Sequence, residues 1–105
     1  MATLEDFTNE ELLKVLLEAK SISKGLSDDE QEVYDALPTL DRSRRRETVI
    51  ILSNNGFLTV ELQRIQQTVS GAKIWRTFPS TEKINGITVD GLRKIYELRD
   101  VISNR

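Results

Sequence analysis

The stretch "DRSRRRETVIILSNNGFLTVELQRIQQTVSG", residues 41–71, decides how this chain folds. It opens with Arg42, Arg44, Arg45 and Arg46, four arginines within five residues, and runs into Thr48, Val49, Ile50 and Ile51. It then crosses Asn55-Gly56 and closes on Gly71. Two readings compete. The β-branched run prefers strand, and "TVIILS" with "FLTV" around an Asn-Gly turn would make a hairpin. The arginines and Glu47 instead favour helix, Thr39 or Asp41 can cap it, and Leu62, Ile65 and Val69 recur at helical spacing. Helix–glycine–helix is the reading adopted, with helices over 41–54 and 60–70.

Working outward, Thr8 and Glu11 have capping-box spacing, and so do Ser27 and Glu30. These predict helices over 9–24 and 28–37, the second stopped by Pro38. A last helix is expected over 89–103, capped by Thr88 or Asp90. Between them, "AKIWRTFPSTEKINGITV" reads as an irregular loop or a small two-stranded wing at 73–89. The expected fold is therefore mainly α: a compact single domain, residues 1–105, of about five helices with a helix-turn-helix-like pair. The order is also similar to the general plan of winged-helix proteins, without a family-specific motif. Leu16, Ile51, Leu62, Ile65, Trp75 and Ile95 are the expected core. "NGFLTVELQRI" (55–65) and "NGITVDGLRKI" (85–95) echo one another, which reads as one local solution used twice: glycine turns the chain and threonine caps the next helix.

Composition narrows the function. The chain has 105 residues, a net charge of −2, no cysteine and no histidine. Disulfides, thiolate metal sites and the commonest general base are therefore absent. The acidic residues gather at helix starts, where they complement the helix dipole. No glycine-rich phosphate loop or calcium loop is present. The expectation is a non-enzyme with no catalytic residue, no metal and no cofactor. The acidic N-terminal segment lacks the pattern of a secretory or transit peptide, so a soluble cytoplasmic protein without membrane contact is expected.

In a helix-turn-helix, Gly56 would turn the chain, and Gln63, Arg64, Gln66 and Gln67 would reach base edges, since glutamine pairs with adenine and arginine with guanine. Arg42, Arg44, Arg45 and Arg46 would contact phosphates. Leu52 is bulky where close helix approach wants a small residue, and Glu61 would repel phosphate. The function expected is a small DNA-binding regulatory or accessory protein. The alternative is a helical interaction module, adaptor or inhibitor, whose partner is a protein and whose arginines pair with its own acidic helices. A homodimer is a further option.

Overall fold

Helix starts obey the local chemistry. In the computed structural model, which describes residues 2–104, Thr8, Ser27, Asp41 and Thr88 each accept a hydrogen bond from the backbone N–H three residues on. They open α1 (Asn9–Ser23), α2 (Asp28–Ala36), α3 (Arg42–Asn54) and α4 (Val89–Ser103). Glu11 and Glu30 complete capping boxes at the first two. A short 3-10 turn, Leu4–Asp6, precedes α1. α3 ends at Asn55-Gly56 with two back-bonds, Gly56 N–H to the Ser53 carbonyl and Phe57 N–H to the Leu52 carbonyl. This is a Schellman ending, and it sends the chain out in a new direction.

The segment beyond Gly56 overturns the expected five-helix bundle. The second member of the expected helix pair, 60–70, is strand. β1 (Leu58–Val69) pairs antiparallel with β2 (Ala72–Ile87) in a two-stranded ribbon, so the fold is α+β with four helices. The small wing placed at 73–89 is corrected too: that segment is almost wholly the single strand β2, whose partner is β1. Neither is there a hairpin around Asn55-Gly56. The ribbon turns instead at Ser70-Gly71, where φ is 51° and 82°. Positive φ at both central residues is the primed geometry that matches the twist of antiparallel strands. Leu62, Ile65 and Val69 have helical spacing, but Leu58, Val60 and Leu62 alternate at two-residue steps, and strand pairing selects the alternation. The echo divides as well, one copy leading into a strand and the other into α4.

The core is built around α1, of which Leu13, Val15, Leu16, Leu17 and Ala19 are fully buried. Val49 and Leu52 of α3, Leu58 at the foot of β1, and Ile95 and Leu98 of α4 close over it. Of the expected core, Leu16, Ile51 and Ile95 are buried, whereas Leu62, Ile65 and Trp75 are exposed because they stand on the ribbon beyond the body. α4 meets the start of β1 at Gly91. A Cβ there would lie 1.9 Å from the Phe57 carbonyl oxygen, so only hydrogen fits.

The ribbon leaves the body as an arm. From the Leu62–Pro79 pair to the Val69–Ala72 pair it is regular, which at ~3.4 Å per residue gives about 24 Å of ribbon. The molecule measures 58 × 28 × 23 Å.

Two substitutions separate this fold from the helical one. Leu16→Ala should cost about 2–5 kcal/mol by opening the core. Leu62→Ala should change stability by no more than about 0.5 kcal/mol, as at an ordinary surface position. Urea melts of both variants give the comparison directly. Gly91→Ala should also destabilise, by about 1–3 kcal/mol, by forcing α4 away from Phe57.

Candidate functional site

The arginine run sits on the first turns of α3, and its four side chains take different paths. Arg44 lies against α1. Its Nε and Nη2 donate to the two Glu11 carboxylate oxygens at 2.5 and 3.0 Å, and Nη2 also reaches the Asp6 carbonyl at 2.6 Å. Its guanidinium stacks 4.3 Å from the centroid of the Phe7 ring. Arg45 makes a second fork on α1, donating to Glu18 at 3.2 and 2.6 Å, and sends Nη1 to the Glu82 carbonyl at 3.1 Å. Both are planar, two-pronged contacts that a lysine could not reproduce.

Arg42 and Arg46 turn towards β2. Arg42 donates to the Glu82 carboxylate at 2.8 Å, and Arg46 donates to the Thr81 hydroxyl at 3.2 Å. Their target is a bulge. Val60 pairs with Ile84 and Leu62 with Pro79, so residues 80–83 are looped out opposite Glu61. Ser80 is buried and shapes the bulge, its hydroxyl accepting from the N–H groups of Glu82 and Lys83. Such an insertion bends a strand and re-aims the residues beyond it. Here α3 holds it from outside.

This geometry sets the charge states. The hydrogen bonds from Arg44 hold the Glu11 carboxyl down at about 2, against the opposing effect of desolvation. Arg42 likewise lowers the Glu82 carboxyl. The Arg42 side chain remains 80% exposed and that of Arg46 49%, against 33% for Arg44 and 27% for Arg45. The expected four-arginine phosphate edge is thus reduced to two accessible members, Arg42 and Arg46. Ile50 and Asn54 continue their stripe along the exposed side of α3.

The four other expected readers, Gln63, Arg64, Gln66 and Gln67, are brought together on β1 of the arm, not on a helix. Strand alternation divides them. Arg64 and Gln66 share one face with Lys73, Trp75 and Thr77, and Arg64 lies 4.9 Å from the Trp75 ring centroid. Gln63 and Gln67 share the other with Ile65, Ile74, Arg76 and Phe78. Sequence reasoning missed Lys73, Trp75 and Arg76 as surface groups. The available signal was Ser70-Gly71 between two segments of comparable length, a hairpin signature.

Residues 62–79 hold three cations, Arg64, Lys73 and Arg76, and no carboxylate. With a whole-chain charge of −2, the remainder therefore carries −5. A shallow depression lies between the Leu4 turn and the C-terminal half of α3, lined by Ala2, Glu5, Ile51 and Asn54 among others. It gathers no acid–base pair. Among the described residues no cluster of carboxylates is arranged to hold a metal ion, and no helix is long and apolar enough to cross a membrane. No protein-family model matches the chain, and no curated protein or solved structure is significantly similar to it.

The run should behave as two halves in stability measurements. Arg45→Ala should cost about 1–3 kcal/mol, since it strips charged hydrogen bonds from a half-covered carboxylate. Arg42→Ala should leave the urea midpoint unchanged within error, as an exposed pair does. Acid titration provides a second check. Because the Glu11 carboxyl is lowered by folding, its contribution is complete above the ordinary carboxylate range near 4.5 and disappears as pH falls towards 2. Glu11→Gln should flatten that acid limb while lowering stability at neutral pH.

Proposed function

We propose that this chain is a small, non-enzymatic nucleic-acid-binding protein, a regulatory or accessory factor that grips duplex DNA with its β-arm and the exposed stripe of α3. One observation carries the reading: all the charge of the arm is positive, on a body that is otherwise acidic. An acidic body repels phosphate and so orients the duplex towards the arm. A two-stranded ribbon has the width of the major groove, and Arg64, Gln66 and Lys73 are residue types that meet phosphates and base edges there. Trp75, backed by Arg64, offers a flat apolar surface beside them. Arg42 and Arg46 stand near the base of the arm, tied through Glu82 and Thr81 to β2, where they would extend the contact along the backbone. Glu61 and Glu82 mark its inner limit.

A second reading is a protein-interaction module. It is favoured by the apolar groups exposed on the arm and by the pairing of Arg44 and Arg45 with α1. The two readings separate in a salt-titrated anisotropy assay against mixed-sequence duplex DNA. Wild-type protein should bind at low salt with a log–log slope near −0.9 per phosphate contact. Arg64→Ala with Lys73→Ala should weaken binding on all sequences and make the slope shallower by about 0.9 for every phosphate no longer neutralised. Gln66→Ala should alter sequence preference and leave the slope alone. No binding at low salt would remove the nucleic-acid reading, and recovery of a protein partner that requires the arm would put the second in its place.

A further inference from the structure

Ten large apolar side chains stand exposed among the described residues, and eight of them fall on the surfaces of two elements, the arm and α4. On the arm, Ile65, Val69 and Phe78 share one ribbon face while Leu62 and Trp75 stand on the opposite one, and Val89, Tyr96 and Val101 are on α4. Neither surface is covered within one copy of the chain. An unsupported two-stranded ribbon is marginal in water, and apolar groups gathered on one exposed face of it mark a contact surface.

The arm surface is the ribbon face opposite Trp75. Reading from base to tip it presents Phe78, Ile65, Ile74 and Val69, with Arg76 directly across from Ile65. The α4 surface is set by helix geometry. Gly91, Ile95 and Leu98 are the buried side. At about 3.6 residues per turn, Val89, Arg93, Tyr96 and Asp100 lie opposite, bordered by Asp90 and Glu97. This outer side thus combines apolar groups with three carboxylates and one arginine, where the charged groups of the arm are cations alone.

We propose that the apolar face of the arm seats on the outer face of α4 of a second copy of this chain, reciprocally, to form a closed two-fold dimer. The occupant is chosen by charge. Arm against arm would set Arg76 against Arg76, whereas arm against the outer face of α4 sets Arg76 against three carboxylates and one arginine, a net charge of −2. Arg76, in the middle of the apolar face, meets the Glu97 and Asp100 edge of the second copy. Exchange in both directions buries two such contacts about one axis, and the shared operator closes the assembly at two copies. The opposite ribbon face, with Arg64, Lys73 and Trp75, is left free, so the inference does not depend on the nucleic-acid reading.

Sedimentation equilibrium of the full chain, without DNA and over a range of protein and salt concentrations, tests it. The expected result is a monomer–dimer equilibrium that weakens with salt. Phe78→Asp on the arm and Tyr96→Asp on α4 should each weaken it at least ~tenfold, with circular dichroism unchanged. Arg76→Glu should weaken it too, and adding Glu97→Arg and Asp100→Arg to the same chain should restore it. Because these three are exposed surface charges, the reversal remains readable if either apolar variant fails to fold. A wild-type monomer at every concentration would overturn the proposal. So would dimers that survive Tyr96→Asp in a folded chain, assemblies that grow beyond two copies, or a charge reversal that restores nothing.

Discussion

Two forked ion pairs, Arg44 with Glu11 and Arg45 with Glu18, fix α3 across α1, and the rest of the molecule takes its bearings from that junction. Four like charges within little more than one helical turn would otherwise repel one another. Here each guanidinium is directed to a different acceptor, two on the central helix and two on the bulge of β2. The same residues that secure the helix therefore set where the ribbon leaves the body. Shape and charge are coupled at this one point.

The arm depends on that coupling because it has little support of its own. A ribbon of two strands cannot bury either face by itself, and beyond the Leu62–Pro79 pair nothing among the described residues covers it. Its anchorage is concentrated at the base. Leu58 and Ile84 are buried against the helices, Gly86 packs on Ser23, and Gly91 admits α4 beside Phe57. Such an element is held at its base and exposed along the rest of its length. Its two faces are chemically distinct: one carries Arg64, Lys73 and Trp75, the other Ile65, Val69, Ile74 and Phe78 around Arg76.

The distribution of charge gives the molecule a direction. α2 carries Asp28, Asp29, Glu32 and Asp35, and its links to the body include the Lys20–Glu30 and Arg99–Asp29 pairs. Lys14 adds a hydrogen bond to the Tyr34 carbonyl and stacks on that ring. These internal pairs consume many of the body's cations. Arg64, Lys73 and Arg76 have no carboxylate anywhere in 62–79 to neutralise them, so an overall acidic chain still presents one basic limb.

Local chemistry in the sequence determined the helices that begin on a cap: Thr8, Ser27, Asp41 and Thr88 each open one, and Leu16, Ile51 and Ile95 lie in the core as their periodicity requires. The absence of histidine and cysteine likewise narrowed the chemistry available. Residues 58–87 were decided elsewhere. Leu62, Ile65 and Val69 fit a helical period while Leu58, Val60 and Leu62 fit a strand period, and no local rule chooses between them. A strand is stable only with a partner, and the partner of β1 is a segment that by itself reads as a loop or wing. Ser70-Gly71 brings the two together, and no window of one strand contains that information. The echo makes the same point, since "NGFLTV" and "NGITVD" start a strand and a helix according to what each packs against. The arginine run was visible as a cluster, but its division into clamp and exposed edge was not. Which guanidinium reaches Glu11, Glu18 or Glu82 depends on contacts 27 to 40 residues distant along the chain, and only tertiary packing brings those carboxylates within hydrogen-bonding range.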